Sequence, residues 1–312
     1  MNKDIVKYNN DFNLLPMPEL LECEMDFFMA IISNFKGNEK SRIVEIEVKK
    51  FADMCNFYRD SRFEILKNFK SFAFKILNHK IYYKTENAEY AFVCFEKLQL
   101  NGTKSIKIKI QEDFCEMLTN YKLGFTRFEL AEFVNLSGKY TKTLYRLLKQ
   151  FRSTGKMRIQ WDEFMRIMNI PQNKQIGEID RDILKPALKE LTKERNLFDQ
   201  KRTPFKNLAY EKIKEKGTRG RGGKVIGIEF SFKPETLKNT ELTDERKFDL
   251  GKLISSKWYH RALGVFEITS GDTSDKSNLI INYSLENGDC GSFKFKNFNE
   301  LQLKFAEFEP YA

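Results

Sequence analysis

Apolar residues recur at intervals of three and four from 19 to 35 (ELLECEMDFFMAIISNF), a helical period that Gly37-Asn38 ends. The segment 42–48 (RIVEIEV) then alternates apolar and polar, as a half-buried strand does. The spacing predicts a short helix over 49–57 and a longer one over 60–77, with Phe63, Leu66, Phe69 and Phe74 on its core side. Paired strands are predicted at 80–84 and 89–95 around the polar turn Thr85-Glu86-Asn87.

A second stretch repeats this order. A helix is predicted over 137–151 (SGKYTKTLYRLLKQF), then a break at Ser153-Thr154-Gly155, a short strand over 156–160 and a short helix over 161–168. A long helix over 178–195 follows, and strands at 205–213 and 225–232 flank a Gly/Arg loop, 217–223. Helix, strand, helix, helix, strand, loop, strand is the order of a winged helix. It occurs twice: the first helices begin 118 positions apart (137 − 19), as do the long ones (178 − 60). The expected architecture is α+β, with tandem winged-helix domains at 1–133 and 134–235 and a small C-terminal α+β appendage at 236–312. In the appendage, helical beginnings around 253–263 precede strands at 265–269, 279–283 and 292–295 and an amphipathic end at 298–308.

Composition narrows the class. Hydrophobic residues make up 41% of 312 positions, enough for packed cores. The longest apolar runs, 25–32 and 90–95, fall short of the roughly 20 residues of a membrane span. The start, MNKDIVKYNNDF, lacks a charged-then-apolar signal pattern. A cytoplasmic protein with no membrane association is expected. The five cysteines form no CxxC pair, and with only His79 and His260 beside them no zinc site of ordinary spacing can be drawn.

Charge separates the domains. Residues 1–133 hold 20 Lys and Arg against 20 Asp and Glu, 134–235 hold 24 against 12, and 236–312 hold 10 against 12. The middle segment carries the whole surplus, as a module that attracts a polyanion would.

The clearest candidate chemistry lies in GEIDRDILKPALKELTKER. At 100° per residue, Ile179, Ile183, Leu184, Ala187, Leu188 and Leu191 gather on one side, and Arg181, Lys185, Lys189 and Lys193 follow one another on the other. Such a helix, third in a winged helix, suits the major groove of double-stranded DNA. The loop 212–224 offers six basic side chains, and in it Arg219, Arg221 and Lys224 are placed to meet phosphates or a narrow minor groove. Its glycines do not make a phosphate-binding P-loop, because counting from Gly217 puts Gly223 where that motif needs Lys, and Lys224 is followed by Val225 rather than Ser or Thr. Lys142 and Arg146, with Lys139 and Lys149, are candidate backbone contacts on the helix over 137–151. The balanced first domain offers Arg59, Arg62, Lys67 and Lys70 on its long helix. No paired His-x-His, converging carboxylates or GxSxG is found, so neither a catalytic centre nor a cofactor is expected.

The runs Phe125-Thr126-Arg127-Phe128-Glu129 and 140–151 (YTKTLYRLLKQF) resemble the hallmark of theta-type, iteron-binding plasmid replication initiators. So do 183–191 (ILKPALKEL), the basic glycine loop after it and the strand 225–230 (VIGIEF). The resemblance covers about 120–233. It implies two winged helices that bind direct repeats at an origin, dimers in equilibrium with monomers that repress the initiator's own gene, and contacts with the host initiator and replicative helicase. The helix it implies as DNA-reading is 178–195. Thr143 stands where the family often has Arg, and Asn173-Lys174-Gln175 where it often has an aromatic. Pro186, inside a helix, costs about 3 kcal/mol by propensity alone. A tandem winged-helix transcription regulator is the alternative reading.

Overall fold

Glu24 shows how the first helix starts. Its carboxylate accepts the Leu21 N–H at 2.7 Å, relieving an orphan donor of the first turn, and also binds Ser71 Oγ at 2.9 Å and Lys75 Nζ at 2.6 Å. One buried acid therefore caps α1 (Glu22–Phe35) and ties it to α3 (Arg62–Asn78). The structure is a computed structural model that describes residues 4–35, 40–57, 62–84, 89–121, 124–197, 200–215, 223–235, 257–260, 264–272, 279–295 and 309–311.

The chain opens with β1 (Ile5–Asn9) and a 3-10 turn (Asn10–Leu14) before α1. Between α1 and α3 stand β2 (Ile43–Glu47) and α2 (Val48–Met54). After α3 come β3 (Lys80–Lys84), β4 (Glu89–Val93), β5 (Phe95–Asn101), β6 (Ser105–Ile110) and α4 (Glu112–Thr119). β3 and β4 pair with each other, as the sequence predicts, but form their own two-stranded sheet. The wing is instead β5 and β6, which join β2 in the order β2-β6-β5. Phe27 centres the core, with ring centroids of Phe51, Phe57, Phe69 and Phe72 at 5.1–6.2 Å. The buried stripe of α3 is Ile65, Phe69, Phe72 and Ile76; Phe74, expected inside, is 74% exposed.

The second module follows the same plan. β7 (Phe125–Glu129), α5 (Leu130–Val134) and α6 (Lys139–Gln150) lead to β8 (Lys156–Gln160) and α7 (Trp161–Ile167). The long helix, α8, runs through an α segment (Ile176–Ile179), a π segment (Asp180–Leu184) and a second α segment (Lys185–Leu191). A small hairpin, β9 (Arg195–Leu197) and β10 (Gln200–Arg202), precedes β11 (Ala209–Lys214) and β12 (Val225–Ser231). The sheet order β8-β12-β11 reproduces β2-β6-β5. The first helices begin 117 positions apart (22 to 139), close to the 118 expected, whereas the strands, short helices and long helices that follow lie 113 or 114 apart (43 to 156, 48 to 161, 62 to 176).

β1 and β7 stand at matching places before the two modules, and they pair with each other antiparallel, with Lys7 opposite Arg127 at the centre. Residues 1–120 and 125–235 form one compact unit, and 121–124 with 236–312 a second. The second unit's described strands, β13 (Lys257–His260), β14 (Gly264–Asp272), β15 (Leu279–Leu285), β16 (Cys290–Phe295) and β17 (Glu309–Tyr311), form a sheet in the order β16-β15-β14-β13-β17. Trp258, Phe266, Ile268, Ile281 and Phe295 are its core. The helix expected over 253–263 is corrected at 257–260, where Trp258 pairs with Phe266 on one side and Pro310 on the other. The amphipathic end at 298–308 lies outside the described residues.

Candidate nucleic-acid interface

α8 owes its position to a buried face of Ile179, Ile183, Leu184, Ala187 and Leu191. It starts with a capping box: the Gln175 side chain accepts from the backbone of Glu178, and Glu178 Oε2 accepts the Gln175 N–H at 2.9 Å. Pro186 lacks the N–H that a regular helix would use. The turn before it widens, so that Lys185 N–H donates to Asp180 O five residues back. The π segment thus absorbs the proline, and it does so where the side chain of Lys185 turns outward.

Arg181, Lys185 and Lys189 are all exposed on the side opposite the core. Lys193 is exposed too, but the helix ends at Leu191 and leaves it in the following turn. Arg181 Nε lies 2.7 Å from Asp182, whose carboxylate also binds Lys174 Nζ at 2.9 Å. The Arg181 and Lys174 hydrogen bonds hold the Asp182 carboxyl down to about 2.

The wing meets this helix through Asp180. Tyr210 Oη donates to Asp180 Oδ1 at 2.9 Å, Lys212 Nζ binds Asp180 Oδ2, and that ammonium lies 6.0 Å from the Tyr210 ring centroid. Burial, then the Asp180 hydrogen bond, pushes the Tyr210 phenol up to about 12. Lys212 is therefore engaged within the protein rather than free for phosphate. Helical period could not show either partner of Asp180, since they sit some 30 positions away (|i−j| 30 and 32). Lys224 is exposed at the described edge of the wing, where Glu215 N–H donates to its carbonyl at 2.9 Å. Arg219 and Arg221 lie outside the described residues.

Lys142 and Arg146 do not reach a surface. Lys142 is 0% exposed and pairs with Asp26 of α1; its Nζ also lies 5.1 Å from the Phe133 ring centroid. Burial pushes the Asp26 carboxyl up to about 7, against the pull of Lys142. Arg146 is 1% exposed, with its guanidinium 4.9 Å from the Phe12 ring centroid and Nη2 3.5 Å from Phe12 O. Lys149 is likewise buried, between Glu235 at 2.5 Å and Glu132 at 3.4 Å; burial lowers its pKa, but the two carboxylates outweigh that and raise it. Of the four expected cations of α6, only Lys139 is exposed. The reason is packing: α6 lies between α1 and the 3-10 turn on one hand and α8 on the other, so Lys142 and Arg146 face the first module, while Lys149 is covered by Glu132 and Glu235 of its own.

In the first module Lys67 and Lys70 are exposed on α3 and line a shallow groove of about 320 Å³ with Leu66, Leu100 and Gly102. Arg59 lies outside the described residues, and of Arg62 only the backbone is described. Among the described residues no group of three His, Cys, Asp or Glu is placed to hold a metal ion, and no helix is long and apolar enough to cross a membrane.

The model for "Initiator Replication protein, WH1" matches residues 5–149, and that for "Initiator Rep protein, WH2" matches residues 160–232. A probable replication protein rep of Bifidobacterium longum (strain NCC 2705) is 30% identical over 202 residues, covering 61% of this chain and 65% of the relative. An uncharacterized 27.6 kDa protein of Escherichia coli is 25% identical over 155 residues, covering 48% and 65%. The chain thus spans 65% of the length of each. A crystal structure of SeMet derivatives of domains 2 and 3 of RctB covers 68% of this chain and 80% of that one at 12% identity and a TM-score of 0.40, where likeness carries no argument.

Proposed function

The chain belongs to the initiator replication protein family, with its two winged-helix domains, and we propose that it starts plasmid replication by binding direct repeats at the origin. The observation that carries this reading is α8, with Ile179, Ile183, Leu184, Ala187 and Leu191 buried and Arg181, Lys185 and Lys189 all exposed beside the base of a basic wing. The helix enters the major groove, where Lys185 and Lys189 face base edges and Arg181 the groove or its wall. The wing, through Lys224, Arg219 and Arg221, follows the phosphates. Lys67 and Lys70, with Arg59 and Arg62, extend the contact to a second stretch of DNA. The protein acts by binding in the cytoplasm, without cofactor or covalent chemistry. It recruits the host initiator and replicative helicase and, as a dimer, represses its own gene.

The test is a gel-shift titration at physiological salt with the DNA upstream of this protein's gene against random DNA of equal length. A ladder of discrete complexes matching direct repeats, with a preference of about 10³-fold or more, is the expected result. Weak, smeared binding to both would reduce the basic module to a generic phosphate clamp.

A further inference from the structure

The joint between helix and wing is apolar in the first module and polar in the second, at corresponding positions. Ile65, Phe69, Phe72 and Ile76 form the buried stripe of α3, and Ile179, Ile183, Ala187 and Leu191 that of α8. Leu66 therefore follows Ile65 as Asp180 follows Ile179. In the first sheet, Val44 and Ile46 of β2 face Ile108 and Ile106 of β6, which face Leu98 and Leu100 of β5. In the second, Met157 and Ile159 of β8 face Phe230 and Ile228 of β12, which face Tyr210 and Lys212 of β11. β2 and β8 each run directly into a seven-residue helix, and this sets the two sheets in register. The places of Leu66, Leu98 and Leu100 are thus taken by Asp180, Tyr210 and Lys212.

The three leucines pack against the hydrophobic core, and Leu66 and Leu100 line one groove. Their counterparts make a directional contact, with one carboxylate accepting from a phenol and an ammonium. Apolar contact tolerates sliding, whereas a carboxylate with two donors fixes distance and angle. We infer that Asp180 is a positioning residue that sets the wing of the second module against the first turns of α8, so that helix and wing engage DNA in a single register. This rests on the reading of that module as the DNA-reading one. Random DNA is held by the number of cations, whatever their exact arrangement. Specific DNA needs base edges and phosphates met together, so a loosened joint weakens specific binding selectively.

The test uses the full chain and charge-neutral pairs. Asp180→Ala with Lys212→Ala removes the joint and leaves the net charge unchanged. Asp180→Leu with Lys212→Leu gives it the first module's chemistry. Tyr210→Phe removes one hydrogen bond and no charge. Affinity for origin repeats and for random DNA is measured over a salt series, with a thermal melt for each variant. The alanine pair is expected to lose about tenfold on repeats and less than about twofold on random DNA, with an unchanged salt slope. The leucine pair, whose apolar contact can slide, is expected to keep most of that loss, and Tyr210→Phe loses about threefold on repeats alone. If the alanine pair fails to fold, the other two variants decide. Equal losses on both DNAs, or a salt slope about one unit shallower, would make Lys212 a simple phosphate contact and overturn the inference. Undiminished discrimination in the alanine pair overturns it too. A wild-type protein that does not discriminate repeats from random DNA would sink the reading of the module itself, whatever the variants do.

Discussion

Replacing Lys142 by Met tests whether this lysine belongs to the interior or to a DNA-facing surface. In the fold its ammonium is 0% exposed and bound to Asp26, itself buried in α1. Met keeps most of the aliphatic stem and removes the charge, which leaves the Asp26 carboxylate unpaired. Breaking one side of a buried pair typically costs about 3–5 kcal/mol, because the remaining charge has no water to return to. That cost depends on pH. Burial, opposed by Lys142, puts the Asp26 carboxyl at about 7 in the folded protein, above its ordinary 3.8. Between these values the folded chain holds a proton that the unfolded chain has released, so stability falls as pH rises from about 4 to about 7 and then levels. Without Lys142 the carboxyl is pushed further up, and the fall continues above pH 7.

The assay is urea unfolding followed by tryptophan fluorescence in a Trp258→Phe background, which leaves Trp161 to report on the unit containing both modules. Lys142→Met is expected to lose about 3 kcal/mol or more at pH 8 and less than about 1 kcal/mol at pH 5.5, where Asp26 is already neutral. Adding Asp26→Asn is expected to recover most of the loss at pH 8. A loss below about 1 kcal/mol at pH 8 refutes the buried pairing. So does a salt slope for DNA binding that falls by about one in the folded variant, since that is the mark of a phosphate contact.

Lys185→Ala and Lys189→Ala are each expected to weaken specific binding by about 1–3 kcal/mol with little effect on random DNA; equal losses on both, in parallel titrations, remove the base-reading role. Lys224→Ala is expected to weaken all DNA alike and reduce the salt slope by about one, read from affinity at three or more salt concentrations. Gly155, at φ +70°, has Phe232 O 2.4 Å and Pro234 ring atoms 2.9 Å from where a Cβ would stand. Gly155→Ala is therefore expected to cost about 2 kcal/mol or more in urea unfolding, and a loss below about 0.5 kcal/mol contradicts the close approach of these segments.

The repeated module was legible because its helices and sheet strands carry strong local periods. SIKIKI, in β6, alternates as plainly as RIVEIEV around β2, yet the order of elements points to the hairpin before it as the wing. Element order does not say which hairpin after α3 joins β2, and only the pairing of Val44 with Ile108 does. KWYH is too short to show a strand period of its own, and of its two partners only β14 is close in sequence, the other, Glu309–Tyr311, lying some 50 positions on (β13 from 257, β17 from 309). The candidate site divides the same way. Arg181, Lys185 and Lys189 lie opposite an apolar stripe and are exposed, as a single amphipathic helix would have them. Lys142 and Arg146 also lie off the apolar side, but partners at separations of 116 and 134 bury them. Helical period reports one helix's two sides and carries no information about a second module packed on the polar one.

The two modules therefore share a scaffold and differ in where charge is placed on it. On the outward stripe, Lys67 and Lys70 of α3 lie two turns and one turn before the exposed Phe74, whereas Arg181, Lys185 and Lys189 of α8 stay basic throughout. At the helix–wing joint, three leucines stand where the second module has a carboxylate, a phenol and an ammonium. Both differences shift polar, directional chemistry to the module whose sequence carries the basic surplus. Lys142, Arg146 and Lys149 of α6 take no part in that surplus at the surface, because they are engaged by Asp26, Glu132, Glu235 and the rings of Phe12 and Tyr8. A net charge counted along the chain thus overstates what DNA meets. The exposed fraction, concentrated on one helix and one wing, is the part that decides where the polyanion binds.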